Sequence, residues 1–243
     1  MQRIVSAVAI IAVAFLCARS AEAAPPGSQG AFNFRLGGFF PSGDSEFWEV
    51  NEAAFTLDHS DFDGIVLGIG YTAPVSNYFE IGLNADFYGE SVRSADRNFN
   101  DQFGNPILHD SRLSIYPFTV DFRLLPAGRY AVRGSEHRPR YVRRPVPYLG
   151  GGIGLDYWQY EEEGDFVASD LSIVYDRLKD TGFEFERHVM AGLELPVSPS
   201  WNLTFEGRYS WAEASPGGAF TAVNPGKLDL GGASVYVGGS LRF

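Results

Sequence analysis

A chain of 243 residues with 45% hydrophobic and 15% aromatic content has the size of one ordinary domain and too many rings for a disordered polymer. Its 30 acidic against 19 basic residues give a formal charge of −11, which argues against nucleic-acid binding on a basic surface. A single cysteine excludes a disulfide framework and any cysteine-based zinc cluster.

The first predicted element is an export signal. Arg3 precedes an apolar run from Ile4 to Leu16, and Ala21-Glu22-Ala23 is a small-x-small cleavage site. Cleavage after Ala23 is expected, leaving residues 24–243 as one domain. The run is shorter than the ~20 residues of a spanning helix. Bulky Phe15 and Leu16 before Cys17 argue against a lipoprotein signal. Past residue 23 no apolar run approaches that length. The exported chain is therefore either soluble or crosses a membrane as strands.

Eight stretches then alternate apolar with polar or small residues, the period of a two-faced strand. Ala31–Phe40 sets Phe32, Phe34 and Leu36 against Asn33, Arg35 and Gly37. Gly64–Tyr71 sets Ile65, Leu67, Ile69 and Tyr71 against Gly64, Val66, Gly68 and Gly70. Tyr78–Ser91 opposes Phe79, Ile81 and Leu83 to Glu80, Asn84 and Asp86. In Arg112–Leu125, Phe118, Val120 and Phe122 face away from Thr119, Asp121 and Arg123. Tyr148–Trp158 alternates Leu149, Ile153 and Leu155 with Gly150, Gly152, Gly154 and Asp156. Phe185–Leu195 puts Val189 and Leu193 opposite His188, Met190 and Glu194. Trp201–Trp211 puts Leu203 and Phe205 opposite Glu206 and Arg208. The last, Leu228–Phe243, ends on Leu241 and Phe243, with Ser240 and Arg242 behind them.

Alternation does not say which face points inward. Two features select apolar-out. The polar faces mix small residues with charges of both signs, which suits a narrow, salt-bridged interior. Aromatics such as Tyr71, Phe79, Phe87, Tyr116, Tyr157, Trp201 and Trp211 sit at the ends of the apolar faces, as in the girdles at lipid–water boundaries. The expected fold is an all-β, eight-stranded antiparallel transmembrane up-and-down barrel. Its polar connections are long on one side, at 41–63, 92–111, 159–182 and 212–227. Two on the other side, 72–77 and 196–200, are short, while 126–146 is unexpectedly long. Short helices are predicted in two long loops, over Ser45–Phe55 and from Ser169 or Asp170 to Leu178.

Pro147-Tyr148-Leu149-Gly150-Gly151-Gly152-Ile153-Gly154-Leu155 resembles a strand opening of small bacterial outer-membrane barrels. Val235-Tyr236-Val237-Gly238-Gly239-Ser240-Leu241-Arg242-Phe243 resembles their C-terminal signal, and Leu203–Tyr209 is similar to a late strand of the same group. The resemblance spans the exported chain and is to the broad eight-stranded class that includes the OmpA membrane domain. It implies a place in a Gram-negative outer membrane, among its lipids and lipopolysaccharide. It also implies that Phe243 is an assembly signal read by the barrel assembly machinery, and no periplasmic domain is expected after the last strand.

Chemistry is sparse. Gly150-x-Gly152-x-Gly154 lacks the following helix of a dinucleotide fingerprint. Lipid A deacylase barrels place His and Ser two apart on a late strand; here His188 is followed by Met190, so the nucleophile is missing. His188 is expected in the lumen beside Glu206 or Glu194. A lumen charge network is expected from Arg35, Glu80, Asp86, Asp121, Arg123, Glu206 and Arg208, with Arg242 pairing among them and Asp156 and Glu194 supplying further acids. The acidic outer loops read as solvated surface or as carboxylates sharing divalent cations with lipopolysaccharide, and they lack the spacing of a calcium loop. The six arginines between Arg129 and Arg144 read equally as a head-group site or an unstructured basic loop. No cofactor, metal or nucleic-acid partner is expected. The function expected is non-enzymatic: a structural, adhesive or surface-interaction role through the loops, toward an extracellular ligand of unknown kind. The alternatives are a low-conductance channel for ions or small apolar solutes and, behind it, a lipid A-modifying enzyme.

Overall fold

The computed structural model describes residues 30–133, 140–168, 170–218, 220 and 226–243. The predicted export signal, residues 1–23, and the side chains of Arg133, Arg138 and Arg140 lie outside what is described.

The barrel strands are β1 (Ala31–Pro41), β2 (Gly64–Pro74), β3 (Phe79–Asn100) and β4 (Pro106–Leu124), then β7 (Val146–Val167), β8 (Ile173–Pro196), β9 (Trp201–Trp211) and β12 (Gly232–Arg242). Each pairs antiparallel with the next, and β12 closes on β1, with Arg35 opposite Gly238 and Leu36 opposite Val237. Between β4 and β7 runs a two-stranded extension, β5 (Tyr130–Arg133) and β6 (Arg140–Arg143). Two-residue strands β10 (Glu213–Ala214) and β11 (Leu228–Asp229) pair between β9 and β12. Helix α1 (Glu46–Ala54) and a 3₁₀ turn (His59–Phe62) fill the β1–β2 connection.

The faces point as the alternation predicts. Phe34, Ile69, Phe118, Leu149 and Val237 are exposed on the outside, while Glu80, Asp121, Glu194 and Glu206 are buried within. Apolar side chains turned outward over a whole closed sheet need hydrocarbon around them, so the barrel spans a membrane. Two girdles bound the span. On one side Phe87, Tyr116, Tyr157 and Phe183 touch in succession around four neighbouring strands, at centroid distances of 5.1, 5.7 and 5.1 Å. On the other, Phe32 contacts both Tyr71 (5.3 Å) and Phe243 (5.5 Å). From Tyr116 to Leu124 the strand covers ~27 Å, or ~21 Å of height at a tilt near 40°.

Two loop expectations are corrected. Residues 92–111 and 159–182 are mostly strand, because β3, β4, β7 and β8 continue far past the outer girdle. The helix expected up to Leu178 does not form: Ile173 pairs with Val167 and Leu178 with Glu162 in the β7–β8 ladder. The apolar spacing there fits a helical turn, but a long hairpin gives every backbone group a partner. A four-stranded wall therefore rises on one side of the barrel, while β1, β2, β9 and β12 stop near the girdle. The helix expected over Ser45–Phe55 is present. Ser45 is extended at its N-cap, Glu46 and Glu49 complement the N-terminal dipole, and Phe55 returns to extended backbone.

Candidate functional site

The charged residues expected in the lumen come together there. Seven carboxylates, Glu80, Asp86, Asp121, Asp156, Glu186, Glu194 and Glu206, are buried inside the barrel wall with Arg123, Arg129, Arg208 and Arg242. Arg35 joins them with its side chain only 7% exposed. Its guanidinium grips Asp86 with two hydrogen bonds, at 3.0 and 2.8 Å, and reaches Glu206 at 3.2 Å. Arg208 donates to Asp86 (3.4 Å), Asp121 (3.3 Å) and Glu206 (3.2 Å). Arg123 donates to Glu206 at 3.2 Å and stacks over the Tyr148 ring at 4.8 Å. The Tyr148 hydroxyl donates to the same carboxylate at 2.7 Å. Charges this deep are tolerable only when each has such partners.

His188 differs from its expected partners. Its Nε2 lies 3.0 Å from Asp121 and its Nδ1 2.9 Å from Glu186, so it bridges those two rather than meeting Glu206 or Glu194. Gly152 makes room for the ring, since a Cβ there would sit 2.6 Å from it. Asp156 also departs from expectation, lying against Glu186 rather than an arginine.

Arg129 was not foreseen as a lumen residue. It enters from the short-turn end of the barrel and fills that end. It donates to Glu80 at 2.5 and 2.7 Å and to Glu194 at 2.6 and 3.2 Å. Arg242 reaches the same two acids at 3.3 and 3.4 Å. The turn before it makes this possible. Gly128 has φ +74°, and a Cβ there would meet the Asn77 amide at 2.6 Å. Asn77 then accepts from the backbone of both Arg129 (2.8 Å) and Tyr130 (3.0 Å). The available signal was Pro126-x-Gly128, a turn that ends directly on an arginine. Arg143 and Arg144 are half-buried at this mouth, Arg143 bonded to Ser198, Pro199 and Asn202 and Arg144 to the Gly128 carbonyl.

The opposite end is closed by apolar packing. Phe47 and Trp48 of α1 are fully buried, with Phe62, Tyr160, Phe220 and Leu228 around them. Phe47 meets Tyr160 edge-on at 5.0 Å, and Trp48 lies 5.1 Å from Phe62. The Tyr88 hydroxyl donates to the Phe62 carbonyl. Each such ring removes enough surface from water to contribute roughly 2–3 kcal/mol. One polar knot pins the helix to the wall. Asn51 donates to the Tyr160 hydroxyl (3.0 Å) and to Glu162 (3.1 Å), and Tyr160 donates to Glu162 at 2.9 Å. Burial pushes the Glu162 carboxyl up to about 7.

Beyond this lid, the tall wall carries the exposed ion pair Arg93–Asp110 and a pair between exposed Arg177 and buried Glu161. Asp58, the N-cap of the 3₁₀ turn, accepts from the Ser60 amide. His59 contacts Glu52 at 2.9 Å beside it.

The arrangement defines a membrane-spanning barrel whose interior is occupied by its own side chains. No family model matches the sequence, and no curated protein does. Among solved structures it is similar to the outer-membrane protein OprG from Pseudomonas aeruginosa, at 16% identity and a TM-score of 0.47, over 90% of this chain and 99% of that one. It is also similar to Neisserial surface protein A, at 11% identity and a TM-score of 0.45, over 89% and 97%. Ail, the attachment invasion locus protein of Yersinia pestis, gives 13% identity and a TM-score of 0.40, over 88% and 99%. These likenesses concern the fold alone; the barrel itself rests on the strand pairing above.

Proposed function

We propose that this chain is a non-enzymatic outer-membrane protein, exported by a signal in residues 1–23, whose closed barrel anchors an extracellular wall for structural or adhesive contact. One observation carries the reading: the lumen is filled at two levels, by Arg129 with its carboxylates and by the aromatic lid, whereas the accessible structure lies in the tall wall. That favours an anchor over a channel, because a solute path needs both levels to clear. It also disfavours catalysis at His188, which is buried between two carboxylates away from any lipid-facing surface. The partners of this reading are outer-membrane lipids, lipopolysaccharide and, during biogenesis, the assembly machinery acting on Phe243. No cofactor enters it.

Purified protein in planar bilayers should give a silent trace; discrete, reproducible openings would overturn the reading. Phe243→Ser should lower the amount of folded, heat-modifiable protein recovered from outer membranes, because it removes the outward terminal ring packed on Phe32. Wild-type recovery would remove Phe243 from the assembly step.

A further inference from the structure

The two long hairpins end in apolar side chains at the point farthest from the membrane. Phe103 in the β3–β4 turn is 80% exposed, and Leu171 in the β7–β8 turn is 71% exposed. Leu171 has φ +66°, a conformation that is costly for a side chain with a Cβ. A strained turn therefore holds a leucine out in water. Between the tips lies a cleft of ≈ 590 Å³, with Phe99, Ile107, Val167 and Ile173 along it and Phe103 and Leu171 at its sides. That volume is in the range of sites that bind ligands. Apolar surface grouped in this way marks an interaction site.

The protein's own membrane is out of reach. From Tyr157 in the outer girdle to Val167 at the tip is ten residue steps, ~33 Å of strand. The charge around the cleft narrows the occupant further. Asp101 lines the cleft and Asp170 stands next to Leu171 in the turn, and no Lys or Arg is among the lining residues. Arg97 is turned to the lid, donating to the carbonyls of Glu52 and Phe55. Hydrogen bonds from Asn105 hold the Asp101 carboxyl below its ordinary range, and bonds from Ser172 do the same for Asp170, so the rim stays anionic into acid. An apolar floor inside an anionic rim repels phosphate-rich lipid and attracts a chain that is both greasy and cationic.

We propose that the cleft between the two hairpin tips binds an extended polypeptide segment of another protein, one that carries Lys or Arg between large apolar side chains. The proposal rests on the reading of the barrel as a closed anchor for the wall. The test uses the full chain in nanodiscs and a labelled peptide of alternating Lys and Leu with one Trp, followed by fluorescence anisotropy. Saturable binding is expected, weakening as salt rises. The Phe103→Ser/Leu171→Gly double variant should bind at least tenfold more weakly while keeping wild-type heat-modifiable migration. Asp101→Asn/Asp170→Asn should weaken binding and flatten its salt dependence. The proposal is overturned by unchanged affinity in the double variant or by equal binding of a Lys–Ser peptide. It is equally overturned if uncharged phosphatidylcholine vesicles capture the nanodiscs through Phe103, since the tips would then serve a lipid surface. A silent bilayer with no peptide binding sinks this inference alone, whereas stepwise conductance sinks the anchor reading whatever the peptide does.

Discussion

Arg129 shows how one side chain can close the end of a barrel. It engages two carboxylates at once through a planar fork, a geometry lysine cannot copy. Replacing it by Ala leaves Glu80 and Glu194 in a buried site where, among the described residues, Arg242 is the one cation paired with both and Arg123 lies 4.0 Å from Glu194. Removing one partner of a buried pair costs about 3–5 kcal/mol. Arg129→Ala should therefore lower the unfolding free energy of the protein in detergent by an amount of that order, and the urea midpoint with it, with Arg129→Lys between it and wild type. Arg93→Ala breaks an exposed pair with Asp110 and should leave the midpoint unchanged. Equal midpoints for Arg129→Ala and wild type would show that the network tolerates the vacancy. None of this was legible in the run of arginines, where Arg129 looks like its five neighbours. What separates it is the glycine before it, with a φ that aims the next residue back into the barrel.

At the scale of elements, α1 is a lid held by rings and by one titrating knot. Glu162 is buried beside Tyr160 and Asn51, with Ser111 of β4 and Leu178 of β8 opposite it in the sheet. Its charged neighbours on the same strand, Glu161 and Glu163, engage Arg177 instead. The folded carboxyl titrates at about 7, against an ordinary value of 4.5. The stability this raised value confers is fully present below the unfolded value and is lost as pH rises through the folded one. The lid should therefore loosen between about pH 4.5 and 7 and stay loosened above that window. Hydrogen exchange of the α1 amides, corrected for intrinsic rates, should speed up from pH 5 to pH 8, and Glu162→Gln should remove that trend. A trend of equal size in Glu162→Gln would assign it to another group. The strand faces were readable because lipid on one side and a charged lumen on the other enforce a strict period of two; Trp201–Trp211 has the same bounds in sequence and structure. Where β3, β4, β7 and β8 leave the membrane, the outer face meets water instead of lipid and the inner face buries polar residues such as Ser111 and Glu162, so the contrast fades. Stretches such as Glu161–Glu163 then read as loop, although they are paired strand.

The whole molecule is two structures sharing four strands: a barrel that spans the membrane and a wall that stands clear of it. The barrel's fold was legible because its constraints repeat at every strand. The lid helix was legible over Ser45–Phe55, but the rings it meets and the tip cleft were not, since they depend on which distant loops meet. The wall rises from β3, β4, β7 and β8, so the cylinder has a front and a back. In a crowded leaflet, a neighbouring molecule can come close to the low flank formed by β12, β1 and β2, but meets a palisade on the other. Any array of these proteins would thus have a grain, with the tall sides turned toward open lipid.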